Sequence, residues 1–177
     1  MKSSIRPMLA GLLLALPVAS LHAQAPARPA SALAVAAENR TAIDAASRGA
    51  RRSDAAVHAG DVLRYKLTFT NTAGRPVRQV ALQNPVAPGL QFVAGSASTS
   101  RQDARAEYSA DNGATWSVRP TETVVIDGKR VERAIAPERY TGVRWMVDGW
   151  VTPGATVTAQ FEARLPARTA STPAGTR

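Results

Sequence analysis

Inside the central part of the chain the apolar residues recur at every second position, not every third or fourth. Leu63, Tyr65, Leu67 and Phe69 alternate with Arg64, Lys66, Thr68 and Thr70. That period predicts a half-buried β-strand with one face to a core and one to water. Ala155, Val157, Ala159, Phe161, Ala163 and Leu165 repeat the pattern against Thr156, Thr158, Gln160, Glu162 and Arg164. Val143, Trp145 and Val147 mark a third strand, Val80 and Leu82 a fourth, and Phe92 to Ala94 a short fifth.

Turn residues separate these runs. Ala59-Gly60-Asp61 opens the first long strand and Asn71 to Pro76 closes it. Pro85 to Gly89 and Pro153-Gly154 punctuate two more boundaries. Asn112-Gly113 and Asp127-Gly128 are hairpin dipeptides, because the tight turn they suit needs positive φ. Short strands with frequent turns predict an all-β domain, an antiparallel sandwich or barrel. Between Leu33 and His58 the pattern is weaker. Leu33-Ala34-Val35 predicts a strand, and Arg48-Gly49-Ala50 a turn back, so we expect an extended arm or hairpin there, with a short helix through the alanines as the alternative.

From Ala59 to Ser96 the order of motifs resembles the bacterial DUF11 or "conserved repeat" domain. The matching positions are Gly60, Asp61, Tyr65, Thr70-Asn71-Thr72, Pro88-Gly89-Leu90, Val93, Gly95 and Ser96. Tyr140 to Trp145 and Pro153-Gly154-Ala155 resemble the closing segment of that family. The resemblance implies an immunoglobulin-like antiparallel β-sandwich, found in exported and surface proteins, with no enzyme activity.

The ends of the chain differ from this middle. Lys2 and Arg6 precede an apolar run from Met8 to Val18. The run has signal-peptide length and falls short of the roughly 20 apolar residues that span a bilayer. Leu21-His22-Ala23 places cleavage after Ala23, since Pro26 blocks the rival cut after Ala25. We read 1–23 as a signal peptide, 24–31 as a flexible lead, 32–166 as the sandwich and 167–177 as a disordered tail rich in Thr, Ala, Pro and Gly. No cysteine stands at the cut to carry a lipid, and cleavage leaves no transmembrane anchor. An exported protein, periplasmic or extracellular, is expected.

At 177 residues the chain holds one ordinary domain plus tails, large enough to need no metal or disulfide staple. It has no cysteine, which removes disulfides, thiol catalysis and cysteine zinc sites. Its formal charge is +9, lowered by two on loss of Lys2 and Arg6. Such a charge favours polyanions. The arginines are dispersed, however, with no basic block interleaved with aromatics, so no specific nucleic-acid partner is expected.

One local motif is complete. Ser109, Asp111, Gly113, Thr115 and Trp116 resemble the Asp-box, S-x-D-x-G-x-T-W, of sialidase-type β-propellers. A single box cannot make a propeller of several four-stranded blades. We read it as a structural hairpin in which Asp111 accepts turn N–H groups, Gly113 takes positive φ and Trp116 folds back.

The census for chemistry is thin. His58 lies beside a turn, no nucleophile motif occurs, and the acidic residues are dispersed. Asp111-Asn112-Gly113 lacks the following acid of a calcium loop. Lys66 falls on the wet face and Lys129 in a turn, so neither suits an internal crosslink. No catalytic residue, metal or cofactor is expected. Trp145 reads as core. Trp150 is the tryptophan best placed for exposure at a sandwich end, where it either caps the core or anchors a partner. Ser117 to Tyr140 is long for a connection, with a small hairpin expected from Val124 to Val131 around Asp127-Gly128, and long connections on rigid scaffolds often bind. An edge strand is a further docking possibility. Trp150, Arg130, Arg133 and Arg139 are the candidate contacts, to an envelope protein or, alternatively, to a surface glycan or other polyanion.

Overall fold

The computed structural model describes residues 33–50 and 56–167. The expected leader and lead, and the tail from residue 168, lie outside the described residues. The protein is an all-β sandwich of two antiparallel sheets with a separate two-stranded hairpin.

The first sheet is built on its longest strands. β1 (Leu33–Asn39) pairs with β2 (Val62–Thr70). β2 pairs along its whole length with β10 (Thr156–Arg164). The far edge of β10 carries two short strands, β4 (Gln91–Phe92) and β5 (Ser98–Thr99). The second sheet places β9 (Gly142–Val147) between β3 (Val80–Pro85) and β6 (Ala104–Ser109). Its register sets Gly142 opposite Ser109 and Pro85, and Val147 opposite Ala104 and Val80.

The period-two positions make the core. Leu67, Val157, Ala159, Phe161 and Ala163 face Leu82, Val143, Trp145 and Val147, all essentially buried. Aromatic rings join the layers: Trp145 lies 6.3 Å from Phe161, and Phe92 5.3 Å from Tyr108. Tyr65 stacks on its cross-strand partner Phe161 at 5.0 Å.

Most of the residues that carried the family resemblance, Tyr65 in β2 apart, hold turns and strand ends. Asp61 is 1% exposed; its carboxylate accepts the His58 N–H (2.9 Å) and the Asn39 amide (2.7 Å). Its backbone carbonyl accepts from Leu165, closing β2 onto β10. Ala87 to Leu90 form a tight turn with Pro88 second and Gly89 third at φ 84, the arrangement that suits each residue. Between β4 and β5 the edge leaves the ladder, and the Ser96 hydroxyl replaces it. Its Oγ accepts from the Glu162 N–H (3.0 Å) and donates to the Val93 carbonyl (2.6 Å).

The expectation for 33–58 needs correction. β1 is followed by a helix, α1 (Arg40–Ser47), instead of an extended arm or a second strand. Asn39 caps it, its Oδ1 accepting from Ala42 N–H at 3.0 Å, as an N-cap residue should. Gly49, at φ 79, ends the helix, with its N–H bonded to Ala46 and that of Ala50 to Ala45. The Arg48-Gly49 turn signal was therefore a helix stop. Alanines 42, 45 and 46 favour the helical turn between these caps.

Candidate functional site

The long segment after β6 folds as the hairpin β7 (Thr121–Ile126) and β8 (Lys129–Ala134). Ile126 pairs with Lys129 across Asp127-Gly128, both at positive φ (50 and 75). This is the two-residue turn that matches strand twist. The hairpin is longer than the Val124–Val131 expected, and it pairs with neither sheet. A short 3₁₀ turn at Pro137–Arg139 leads back to β9.

Its base is braced. The Ile135 N–H donates to the Pro120 carbonyl, and Ile135 packs against the core. Glu122 accepts from Arg133 (2.9 Å) and, with both oxygens, from Arg139 (2.8 Å each). Bonds from the Arg133 side chain, then from Arg139, outweigh desolvation and hold the Glu122 carboxyl below its ordinary range. Arg133 and Arg139 thus meet on one carboxylate, whereas Arg130 stands on the other hairpin face, opposite Val125. Toward the tip, Val125 is 68% exposed, Ile126 50% and Val131 41%.

The Asp-box precedes this hairpin and behaves as a closed network. Ser109 Oγ donates to Asp111 Oδ1 (2.7 Å) and accepts from the Gly113 N–H (2.8 Å). Asp111 also accepts from the Thr115 N–H (2.9 Å) and hydroxyl (2.6 Å). These bonds, the Thr115 hydroxyl first, bring the Asp111 carboxyl down to about 2. Trp116 Nε1 donates to the Gly113 carbonyl (3.0 Å), and its ring lies against Gly142. The Arg144 guanidinium covers the ring at 4.8 Å. Every fixed residue of the box is spent on the turn itself.

Trp150 sits elsewhere. The hairpin and the box flank the Gly142 end of β9, and Trp150 follows the Val147 end, about 17 Å along the strand. Trp150 does not cap the core: it is 58% exposed, with the Arg78 guanidinium 5.0 Å over its ring. The four candidate contacts therefore form two surfaces at opposite ends of the molecule.

Several acidic side chains are engaged by arginine. Glu107, 9% exposed, is shifted up by burial, but bonds from Arg144 (2.7 Å) and Arg105 (3.0 Å) outweigh that and leave it lowered. Asp103 pairs with Arg101 and Asp148 with Arg105. Among the described residues no three His, Asp or Glu side chains converge as metal ligands. No described helix is long and apolar enough to cross a membrane.

Sequence reasoning missed two features of these surfaces: the Glu122 clamp, and the arginine resting on Trp150. Arg133 lies eleven residues from Glu122 and Arg139 seventeen, so the first is readable only once the hairpin register is known. Comparison with known proteins returned no matching protein-family model and no matching curated protein.

Proposed function

We propose that the chain is a non-enzymatic, immunoglobulin-like module of the DUF11 kind, exported to the cell envelope, which docks a protein partner through the β7–β8 hairpin. The observation that carries this reading is the hairpin. It belongs to neither sheet, yet it is braced at its base and presents three aliphatic side chains to water. A two-stranded ribbon has little stability of its own. Exposed aliphatic residues near the tip of such a ribbon, Val125 on one face and Ile126 and Val131 on the other, favour an interface. Its free strand edges add backbone donors and acceptors for a partner strand.

The non-enzymatic reading is supported by where the acids are engaged. Asp111 serves its turn, and Glu107, Asp103 and Glu122 serve arginine pairs. Export is supported by the Lys2, Arg6 and Met8–Val18 pattern together with the resemblance between Gly60 and Ser96.

The test is in-cell crosslinking with an affinity-tagged chain and two variants. One replaces 121–134 by a short Gly-Ser link, keeping Ile135 and Pro120; the other is the double substitution Val125→Ser and Ile126→Ser. Loss of one enriched envelope protein in both variants, with unchanged thermal unfolding of the double variant, is expected. Retention of that protein by the excised variant would refute the docking role.

A further inference from the structure

We propose that the Trp150 end is a second binding site, for a saccharide bearing a carboxylate or phosphate. This inference does not rest on the hairpin reading. It starts from a mismatch in the ladder. Val77 pairs with Val151 and Val80 with Val147. Arg78 and Gln79 thus stand opposite three residues, Asp148 to Trp150. Such bulges re-aim side chains and recur beside functional sites. Gln79, on the shorter side, stands in left-handed backbone, φ 54, a conformation a residue with a side chain rarely takes. Val77 and Val80 both stay packed against the core, and Arg78 is left over the Trp150 ring.

The frame beneath is rigid. Val77 and Val151 exchange two backbone bonds of 3.0 and 2.9 Å. The buried Asn71 amide ties the Val151 carbonyl (2.8 Å) to the Arg75 carbonyl (3.0 Å). Gly149 lies under the Arg101–Asp103 pair, where a Cβ would overlap the Asp103 carboxylate. Arg101 also reaches the Trp150 carbonyl at 3.3 Å. An open cleft of about 510 Å³ adjoins the ring, lined by Arg75, Pro76, Trp150 and Thr152.

Its chemistry points to one class of ligand. Trp150, with Arg78 over its ring, lines the cleft with an apolar flat surface and a polar rim, which suits the C–H face of a pyranose. The acids nearby are already matched, Asp103 by Arg101 and Asp148 by Arg105. Arg75 and Arg78 have no carboxylate partner among the described residues, so two guanidiniums remain for an anion beside the sugar. Guanidinium binds carboxylate and phosphate alike, often through two parallel bonds.

The experiment titrates the purified chain, by tryptophan fluorescence and calorimetry, with trigalacturonate, its methyl ester and a phosphorylated maltotriose. One acidic probe is expected to bind about tenfold tighter than the ester. The tighter of the two identifies carboxylate or phosphate as the anion. Trp150→Ala should weaken binding about tenfold and Trp150→Phe far less. Arg78→Gln should weaken it and flatten its salt dependence. Thermal unfolding of each variant separates lost binding from lost fold. Failure of both acidic probes to bind, equal binding of acid and ester, or an unchanged affinity in a folded Trp150→Ala would overturn the proposal. Retention on any polyanion regardless of Trp150 would overturn it too, by assigning the binding to net charge.

Discussion

Asn71 is 2% exposed and satisfies three backbone groups with one amide. Its Nδ2 donates to the Arg75 and Val151 carbonyls, and its Oδ1 accepts from the Ala73 N–H at 3.0 Å. Asn71→Ala removes all three bonds, although the Val151 carbonyl keeps the Val77 N–H and the Ala73 and Arg75 groups lie in exposed residues. At about 0.5–1.5 kcal/mol net for each lost bond, we expect a loss of about 2–4 kcal/mol. The midpoint of urea unfolding measures it, and a shift equivalent to a few tenths would contradict the account. Asp111 is a surface counterpart with a pH signature. Its folded carboxyl titrates near 2, below the ordinary 3.8. The stability it contributes is therefore present above about pH 4 and lost as the pH falls through 2. Asp111→Asn should unfold at lower temperature than the parent at pH 6, and the gap should close as the pH approaches 2. A gap constant from pH 6 to 2 would sever the box from this charge. The Asp-box was legible in the sequence because the side-chain bonds of Ser109, Asp111, Thr115 and Trp116 all close within eight residues. The Asn71 bond to Val151 spans 80 residues, so Thr-Asn-Thr could be recognised as a pattern but not explained.

At the scale of elements, α1 depends on one residue with two roles. Asn39 caps the helix through Oδ1 and donates through Nδ2 to the buried Asp61 carboxylate. Asn39→Ala removes both. The cap alone is typically worth about 1 kcal/mol, and the bond to a charged group about 1.5–3 kcal/mol. A loss above about 1.5 kcal/mol is therefore expected, read from the same urea midpoint. Asn39→Ser, which restores only the cap, should recover a minor part. The β7–β8 hairpin behaves oppositely, because it contributes little to the core. Replacing 121–134 by a Gly-Ser link should leave cooperative unfolding intact and the melting temperature within a few degrees. Collapse of the fold on excision would make the hairpin structural, contrary to its exposure. Its turn was readable from Asp127-Gly128. Its independence from both sheets was not, since alternation says which residues share a face and not what that face meets.

At the scale of the whole molecule, β9 separates two surfaces. The hairpin stands at its Gly142 end and the Trp150 cleft beyond Val147. Among the described residues no hydrogen bond or ion pair joins the two surfaces directly, so they should act independently. Trp150→Ala should leave capture by the hairpin unchanged, and excision of 121–134 should leave saccharide affinity unchanged. Effects of separated sites usually add within about 0.3–0.5 kcal/mol. A larger interaction between the two changes, measured as a double-mutant cycle, would show that the ends are coupled through the second sheet.

The sequence by itself determined β2, β3, β9 and β10, because alternation is a property of neighbours, while β5 and β6 were not anticipated. Leu67, Phe161, Trp145 and Val147 could be assigned to the core from one dimension alone. It determined the local turns for the same reason, at Pro88-Gly89, Asp127-Gly128 and the Asp-box. Only the tertiary structure decided where the strands pair. It decided that the Asn39 cap and Gly49 stop enclose a helix where an arm or hairpin was expected, since Thr41 Oγ1 accepts the Val62 N–H (2.9 Å) and Asn39 reaches Asp61, both far along the chain. It also decided that Trp150 faces solvent under Arg78 instead of capping the core. That outcome depends on a ladder mismatch between residues about 70 apart, and pairing register is a long-range property that no local pattern encodes.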